Sequence, residues 1–366
     1  MGRHGAPSRR RHARGDRRRA KRRGKLKVIA WVTAALVVLG TAGAAALVHR
    51  LQSNVRSVDI DSALGGDRPP ASENGAMNIL ILGSDSRTGD GTPGSDRRDG
   101  SARSDTAMVL HVYQGRREAA LVSIPRDTLV TRPACTTPAG TRIPGGTRLM
   151  FNEAYAVGGP ACAVSTVERM SGLRMDHYVE LDFTGFKKII DTLGGVTLTL
   201  NEPIRDKASG LDLKAGTHTL NGTQSLGLVR TRKSVGDGSD LGRIQLQQAF
   251  VKALLAQVSG SRLLQSPTRL LTLADTATKS MTTDSGLAGA SALVNLASTL
   301  KNLGSSGLKA LTLPVGPDAR DPNRVVPLAS ESRQVWEALR ADRPVPQSAT
   351  TSSMGDKGTA GSVVTP

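Results

Sequence analysis

The sequence predicts an α/β layered fold with a central sheet, preceded by one transmembrane helix. Apolar segments of strand length interleave with segments of helical periodicity, which is the pattern of a sheet covered by helices. Residues 28–48 are uncharged over a length that can cross a bilayer. Aromatic residues make up only 2% of the 366 residues, so the predicted core consists of Leu, Val, Ile and Ala.

The basic excess of the chain precedes this apolar segment. Residues 1–27 contain thirteen Lys and Arg against one Asp, so they hold +12 of the net charge of +18. Because basic residues mark the cytoplasmic side of a span, we predict a cytoplasmic tail (1–27), a transmembrane helix (28–48) and an extracytoplasmic remainder. A cleaved signal peptide, with small residues at 44–46, is the alternative, but the basic region and the apolar run exceed its usual dimensions.

The Arg-rich tail also raises the alternative of nucleic-acid binding. Residues 1–27 contain no aromatic side chain for stacking on bases and lie directly against the predicted span. A topology signal that contacts anionic lipid is the simpler interpretation. We therefore predict the membrane as a partner and no specific nucleic acid.

Composition divides the remainder into three segments. Residues 49–76 include the polar run GGDRPPASENG and are predicted to be an extracytoplasmic linker. Residues 77–345 carry the periodic segments and are the predicted folded domain. Residues 346–366 are rich in Ser, Thr and Gly and are predicted to be a disordered tail.

Three strand-like runs open the folded domain: Met77–Leu82, Thr106–Tyr113 and Ala119–Ile124. If they pair as an antiparallel meander, the charged residues that flank them gather at one edge of the sheet. These residues are Asp85, Arg87, Arg103, Asp105, Arg126 and Asp127. Such an edge suits a metal-and-phosphate site, whereas the alternative is a solvated edge with ordinary surface ion pairs.

The segments that follow alternate between helix and strand. Helices are predicted at Cys162–Ser171, Phe183–Leu193, Leu246–Val258 and Leu287–Leu303, and strands at His177–Asp182, Val196–Leu200 and Leu308–Leu313.

Two pairs of polar residues in this part of the chain are candidates for the site. Leu220–Arg232 is predicted to be a short helix that runs into a strand, in which Arg230 and Arg232 would point to the same side. Arg243 and Gln247 stand four residues apart, so they share a helix face at the first turn of the amphipathic helix. The helix dipole favours anions at that end.

Cys135 and Cys162 are the only cysteines. Outside the membrane two thiols more often pair than stay free, and closing this loop would stabilise the fold by about 3–4 kcal/mol on the chain-entropy model. Two reduced core cysteines are the alternative if the topology prediction is wrong. Their spacing does not match a zinc motif.

Asp85 and Asp105 are the candidate metal ligands, because Mg²⁺ is commonly held by one or two carboxylates together with substrate phosphates. Arginine is the preferred partner of a pyrophosphate because its planar guanidinium offers several donors. Six arginines lie at element ends near these carboxylates: Arg87, Arg103, Arg126, Arg230, Arg232 and Arg243. Other schemes are disfavoured, since the chain has no GxSxG elbow and no GxGxxG or Walker pattern.

Eight motifs together resemble the LytR-CpsA-Psr (LCP) family, with its order and spacing over about residues 77–340. They are GSDSR (83–87), RSDT (103–106), SIPRDT (123–128), FNEAYAVGGP (151–160), DHYVELDFTGF (176–186), DTLGGV (191–196), GLDLKAGTHTLNGTQSLGLVRTR (210–232) and GRIQLQQ (242–248).

The resemblance implies an α/β/α layered fold with a central mixed sheet on a single N-terminal anchor. It implies an extracytoplasmic phosphotransferase that depends on Mg²⁺ (or Mn²⁺) and acts on polyprenyl-pyrophosphate-linked glycopolymers such as teichoic acid, arabinogalactan or a capsule-like polymer. The polymer passes to a hydroxyl of peptidoglycan, which is the acceptor, through a phosphodiester, and polyprenyl phosphate leaves.

The resemblance also assigns roles to individual residues. Asp85 and Asp105 fall on the family's metal-site aspartates, and Arg126 falls on the arginine of its PRD motif. Either aspartate, preferentially Asp105, is a candidate to help deprotonate the acceptor hydroxyl. With Arg87, Arg103 and Arg126, the predicted head-group set includes Arg230, Arg232, Arg243 and Gln247.

The cysteine pair and two departures from the motifs complete the comparison with the family. Cys135 and Cys162 resemble the arrangement of actinobacterial-type members, which supports a disulfide. Leu246 stands where members often carry Arg, and Lys233 and Ser234 stand where His or Arg often follows the second arginine of the VRTR motif. These departures bear on head-group preference and leave the assigned site residues in place.

Three alternative functions remain open. The first is a scaffold that binds prenyl-pyrophosphate lipids without turnover, and the second is a membrane-bound transcriptional regulator that contacts DNA through residues 1–27. The third is a pyrophosphatase, in which water replaces the acceptor hydroxyl at the same site.

Overall fold

The computed structural model describes residues 41, 45–46, 48–84, 104–137, 139–232, 235, 238, 240–260, 266–304, 306–351, 353–354 and 363–365. The chain divides into two compact units, residues 1–53 and residues 54–366. The described residues of the first unit are helical. All elements named below belong to the second unit.

The described strands have between two and nine residues. They are β1 (Arg56–Val58), β2 (Met77–Ser84), β3 (Ser104–Val112), β4 (Ala119–Ile124), β5 (Leu129–Arg132), β6 (Cys135–Thr136), β7 (Arg142–Ile143), β8 (Gly146–Met150), β9 (His177–Asp182), β10 (Val196–Leu200), β11 (Ile204–Asp206), β12 (Leu211–Leu213), β13 (Gly216–Leu220), β14 (Met281–Asp284), β15 (Leu308–Thr312), β16 (Val315–Pro317), β17 (Val325–Pro327) and β18 (Val364–Thr365).

The helices follow the same numbering along the chain. They are α1 (Ile60–Leu64), α2 (Phe151–Ser171), α3 (Phe183–Leu193), α4 (Gly222–Arg230), α5 (Asp240–Gly260), α6 (Pro267–Ser280), α7 (Ala290–Leu303) and α8 (Ala329–Arg340), with a short 3₁₀ turn at Gln347–Ala349.

The central sheet is mixed and has the strand order β1-β14-β9-β2-β3-β4-β15. The predicted meander is confirmed, because β2 pairs antiparallel with β3 and β3 pairs antiparallel with β4. β9 runs parallel to β2, and β15 runs parallel to β4. The mixed α/β class predicted from the interleaved pattern is therefore correct.

Alternate residues of the central strands bury opposite faces of the sheet, as the period of two requires. Leu80, Leu82 and Val122 belong to one core, which also contains Val164 of α2 and Trp336 of α8. Ile79, Met108 and Leu121 belong to the other, together with Leu255 of α5 and Leu303 of α7. Helices thus cover both faces, which gives the α/β/α layering.

A smaller sheet with the order β13-β10-β18 forms a third core with α3, α4 and α5. β18 pairs antiparallel with β10, and Val363 and Val364 are buried there. Ala349 is also fully buried, in the core that contains Leu80 and Val122. The predicted disorder of residues 346–366 is therefore wrong for the described part of that segment, because its scattered apolar residues fill gaps left by distant elements.

The predicted linker at 49–76 also contributes to the fold. β1 joins the edge of the central sheet by pairing parallel with β14, and Ile60 of α1 is 5% exposed. Arg68 donates through Nε and Nη2 to Glu168, at 3.1 and 2.6 Å, with both side chains nearly buried. The folded domain thus begins by Arg56 and not near Met77, and this buried ion pair gives the polar run a fixed position.

Most predicted elements occur near their predicted bounds, but three differ. The helix predicted at Cys162–Ser171 begins at Phe151 and includes a kink at Gly158 and Gly159. The helix predicted at Leu246–Val258 begins at Asp240. The predicted strand after α4 is wrong: Arg230 is the last residue of the helix, and no strand pairing involves Arg232 in the described part of the chain.

The two cysteines form the predicted disulfide, with a Cα–Cα distance of 5.4 Å. It ties β6 to the kinked region of α2 and encloses Ala154 in a small cluster. A Cβ on Gly158 would lie 2.6 Å from the Cβ of Cys162 and 3.0 Å from that of Cys135. The close approach of helix and disulfide therefore requires glycine at this position.

In the part of the chain that the structure describes, no helix has the length and apolarity to cross a bilayer. The predicted span at residues 28–48 lies mostly outside the described residues.

We predict that Gly158→Ala destabilises the protein by about 1–3 kcal/mol, the usual cost of overpacking. Gly66→Ala is the control, because nothing lies within 4 Å of a Cβ built there and its φ is not positive. Urea unfolding of both variants under non-reducing conditions measures the difference. Equal free energies of unfolding would show that the Gly158 contact is unimportant.

Candidate functional site

Charged side chains collect at one end of the central strands, where β2 and β4 end and β3 begins. Ser84 is the register partner of Ser104, so the strands bring the residues just before Asp85 and Asp105 side by side. Arg126 follows β4 at the same end. The first turn of α5, which starts at Asp240, supplies the remaining groups.

Arg126 contacts three carboxylates. Its Nη1 donates to Oδ1 of Asp105 at 2.9 Å, while its Nε lies 3.4 Å from Asp127 and 3.7 Å from Asp240. Burial alone would lower the pKa of Arg126, but the negative charges of Asp240, Asp127 and Asp105 raise it above its usual value. Arg126 is thus held as a cation by three surrounding anions.

Asp240 is the shared counter-ion of the arginines. Its Oδ1 forms an ion pair with Arg243, three residues on in the helix, and lies 4.0 Å from Arg232 as well as 3.7 Å from Arg126. Both carboxylate oxygens are buried without a hydrogen-bond partner among the described residues. One carboxylate therefore neutralises part of the charge of three guanidiniums.

Arg243 and Gln247 lie on one face of α5, as predicted, and both contact β3. Arg243 is 4% exposed and donates from Nη2 to the carbonyl of Asp105 at 3.1 Å. Gln247 donates from Nε2 to Oγ1 of Thr106 and to the carbonyl of Val229, each at 3.0 Å. Burial lowers the pKa of Arg243 despite the opposing effect of Asp240.

The start of α2 fixes the loop that carries Arg126. The backbone N–H of Phe151 donates to the carbonyl of Thr128 at 2.9 Å, and that of Asn152 donates to the carbonyl of Arg126 at 3.2 Å. Thr128 itself is fully buried and donates from Oγ1 to the carbonyl of Pro125 at 2.6 Å. The guanidinium of Arg126 therefore extends from a backbone held on both sides.

Two donors in the cluster are left without a partner. Nε of Arg126 and Nε of Arg243 are buried and make no hydrogen bond to any described residue. A buried donor without a partner costs about 1–3 kcal/mol, so such groups in a native protein call for an explanation. The side chain of Arg126 is 24% exposed, so the rest of its guanidinium can receive the oxygens of an anionic ligand.

The residues fit a hard cation held together with phosphates. Among the described residues no group of three or more His, Cys, Asp or Glu could hold a metal ion by itself. Among the described residues, Asp105 accepts a hydrogen bond on Oδ1 alone, from Arg126, and its side chain is 30% exposed, so Oδ2 is available. Mg²⁺ commonly takes one or two carboxylates and completes its shell with substrate phosphates and water, which this arrangement allows.

The structure brings together five of the predicted residues: Asp105, Arg126, Arg232, Arg243 and Gln247. Arg230 is outside this ion-pair network of described residues, since its guanidinium lies over the ring of Phe183, 5.0 Å from the centroid. Its assignment to the head-group set stays a prediction. Asp85, Arg87 and Arg103 lie outside the described residues.

Asp127 of the network was predicted at this end of the strands without a role, and two further residues of the network were not predicted. Asp240 could have been found from its spacing, because it stands at i−3 from Arg243. The apolar stripe, however, starts only at Leu246 and led to a later helix start. Arg324 precedes β17 and approaches Asp127 to 3.7 Å. No sequence signal links Arg324 to a site two hundred residues earlier.

Comparisons with known proteins agree with the motifs. The LytR_cpsA_psr family model matches residues 45–341. The probable cell wall biosynthesis protein LcpB of Corynebacterium glutamicum is 35% identical over 228 residues, which are 60% of this chain and 52% of LcpB. The Bacillus subtilis polyisoprenyl-teichoic acid–peptidoglycan teichoic acid transferase TagU is 31% identical over 247 residues, 66% of this chain and 72% of TagU.

Solved structures show the same fold. The LytR-Csp2A-Psr enzyme from Actinomyces oris superposes with a TM-score of 0.57 and 26% identity, covering 78% of this chain and 95% of that one. The cell wall biosynthesis protein LcpA of Corynebacterium glutamicum is a second relative from that organism. The match covers about half the length of both relatives, 52% of LcpB and 53% of LcpA.

We predict that Asp240→Asn lowers the free energy of unfolding by about 3 kcal/mol, because it leaves the buried Arg243 without its counter-ion. Asp212→Asn is the matched control, because Arg205 and Asp212 form an ion pair whose side chains are 75% and 74% exposed. This substitution should change the free energy of unfolding by less than about 1 kcal/mol. Chemical unfolding compares the two. Similar losses in both would show that Asp240 is not the counter-ion of a buried charge.

Proposed function

Because this chain belongs to the LytR_cpsA_psr family, we propose that it transfers a glycopolymer from a polyprenyl-pyrophosphate carrier to peptidoglycan. The observation that carries the proposal is the cluster of Arg126, Arg232 and Arg243, in which two buried guanidinium nitrogens have no partner among the described residues. Pyrophosphate oxygens are matched acceptors for such donors. The name of TagU, a polyisoprenyl-teichoic acid–peptidoglycan transferase, supports the same class of donor and acceptor.

The proposed reaction moves one phosphoryl-linked polymer. The acceptor hydroxyl oxygen attacks the phosphorus that carries the glycopolymer, and the bond from this phosphorus to the bridging oxygen of the prenyl phosphate breaks. Asp105 takes the proton of the hydroxyl, and polyprenyl phosphate leaves. The products are a phosphodiester on peptidoglycan and the lipid monophosphate.

The arginines supply most of the rate enhancement in this scheme. Arg126 and Arg243 are held in place before substrate arrives, Arg126 by the start of α2 and Arg243 by the carbonyl of Asp105. Donors fixed in this way stabilise charge that develops on the transferring group and on the leaving oxygen. Mg²⁺ or Mn²⁺ held by Asp85 and Asp105 would add to this neutralisation of phosphate charge.

We place the reaction outside the cell membrane. The proposed topology has residues 1–27 in the cytoplasm, residues 28–48 in the bilayer and the folded unit outside, which fits a lipid-linked donor and a cell-wall acceptor. The disulfide between Cys135 and Cys162 supports an oxidising compartment. Hydrolysis of the donor by water is the expected side reaction of the same site.

We predict that Arg126→Ala lowers kcat/KM for transfer by about 10²–10³, the usual loss when one such donor is removed. Arg126→Lys keeps the charge but not the planar donors, so it should restore only part of the activity. Arg205→Ala, at an exposed site, is the control. The assay follows release of prenyl phosphate by the full-length protein in detergent, with a synthetic prenyl-pyrophosphate sugar, peptidoglycan oligomers and Mg²⁺.

Two results of this assay would contradict the proposal. Wild-type activity in Arg126→Ala would remove Arg126 from the site. Tight lipid binding by the wild type, with no release of prenyl phosphate with any acceptor tried, would favour the lipid-binding scaffold.

A separate experiment tests the regulator. An effect on transcription without an effect on wall attachment, after deletion of residues 1–27, would favour that function.

We predict that a chelator abolishes release and that Mg²⁺ or Mn²⁺ restores it. Asp85→Asn and Asp105→Asn should each raise the Mg²⁺ concentration needed for half-maximal rate by about tenfold or more, because each removes one anionic oxygen donor. Asp212→Asn should leave that concentration unchanged. Full activity in the chelated wild-type protein would exclude the proposed metal site.

A further inference from the structure

A separate cavity of about 550 Å³ lies between β5, β8, β17 and the C-terminal end of α2. It adjoins the loop of the proposed transfer site in sequence, because Leu129 at its wall follows Arg126 by three residues. Its volume falls in the range of ligand-binding pockets in proteins. No described residue of the proposed donor site lines this cavity.

The lining combines an apolar surface with cationic groups. Val130, Met170 and Pro327 supply the apolar part, whereas Arg148 and Arg169 supply two guanidiniums. Arg169 is exposed and makes no ion pair within the described part of the chain, so its charge is unbalanced there. Apolar walls with a few charged donors suit a ligand that has flat apolar faces and carboxylates.

Arg148 is held in place by an unusual backbone conformation and by an ion pair with Asp318. Its φ is +56°, a conformation that side chains other than glycine rarely adopt and that costs of order 1–3 kcal/mol. Its Nη2 donates to both oxygens of Asp318, at 2.9 and 2.8 Å, while Nε and Nη1 make no hydrogen bond or ion pair with the described residues. One side of the guanidinium is therefore anchored and the other is available.

The same contact links the cavity to the transfer site. Asp318 accepts backbone N–H groups from Arg320 and Asp321, and its own N–H donates to the carbonyl of Arg324 at 3.0 Å. Arg324 in turn approaches Asp127, which lies 3.4 Å from Arg126. A ligand seated against Arg148 would thus lie at one end of a continuous set of contacts that reaches the reacting centre.

We propose that this cavity binds the acceptor, a glycan that carries carboxylate groups. The inference rests on the proposed transfer reaction, which needs a second substrate beside the bound pyrophosphate. The faces of pyranose rings are apolar and would pack on Val130, Met170 and Pro327. The carboxylates of the acceptor would pair with Arg148 and Arg169, and its hydroxyl would point toward the loop of Arg126.

The test uses the full-length protein in detergent micelles and a soluble disaccharide–peptide fragment of peptidoglycan as the probe. Calorimetry measures the dissociation constant of the fragment without turnover. Arg169→Gln should weaken binding by about fivefold to tenfold, and Arg148→Gln combined with Arg169→Gln should weaken it further. Arg269→Gln, which removes an exposed charge outside the cavity, should leave binding unchanged.

A second measurement assigns the effect to the acceptor. In the transfer assay, Arg169→Gln should raise KM for the fragment while KM for the prenyl-pyrophosphate donor stays within twofold of the wild-type value. Three results would overturn the inference: no binding of the fragment by the wild type, unchanged binding in the double variant, or an equal rise in KM for the donor.

These outcomes separate the cavity from the reaction. A wild-type protein that binds the fragment through Arg169 but releases no prenyl phosphate would support the cavity and contradict transfer. If transfer depends on Arg126 but fragment binding does not depend on Arg148 and Arg169, the proposed function is supported. The assignment of the cavity to the acceptor is then contradicted.

Discussion

Repulsion between guanidiniums is the constraint on which the site depends. Arg126, Arg232 and Arg243 converge on Asp240. Burial lowers the pKa of Arg243 most, and the cations of Arg232 and Arg126 lower it further. Arg243 is also 4% exposed, so water screens little of this repulsion. Asp240 reduces it from a single position at the start of α5, and Asp105 and Asp127 add two further anions around Arg126.

Ion pairing with Asp240 leaves two buried donors, Nε of Arg126 and Nε of Arg243, without a hydrogen bond to any described residue. Asp240 lies near all three arginines, yet its two oxygens accept no hydrogen bond from any described residue. Its contribution is therefore charge at short range and not the satisfaction of individual N–H groups. Free donors beside a compensated charge are what a site needs if it is to bind an anion and later release it, because full pairing inside the protein would compete with the ligand.

The sequence predicted the parts of the fold that follow from local pattern. The runs Met77–Leu82 and Ala119–Ile124 are apolar enough to be buried strands in any context, and they occur almost as predicted. β1 and β18 have three and two residues, and their partners are more than a hundred residues away. No local periodicity can mark such strands, so the predicted linker and the predicted disordered tail were assigned by composition alone and were partly wrong.

The site was predictable to the extent that strand ends determine it. The meander fixes Asp105 and Arg126 at one edge as soon as the three strands are recognised. Asp240 and Arg324 depend on tertiary contacts. The position of Arg230 depends on where α4 ends, because as the last helical residue it lies over the ring of Phe183. Helix bounds decide such cases, and bounds are set by packing against the rest of the molecule as much as by the segment itself.

Asp127 shows how two anion-binding surfaces can share one short loop. It stands between Arg126 on the side of the proposed pyrophosphate and Arg324 on the side of the cavity, at 3.4 and 3.7 Å. Two adjacent cationic sites would repel each other without an anion between them, by the same electrostatics that makes Asp240 necessary within the donor site. Thr128 and the start of α2 fix the backbone of this loop. A carboxylate on that backbone, between the two arginines, reduces the repulsion between the proposed pyrophosphate site and the proposed acceptor site.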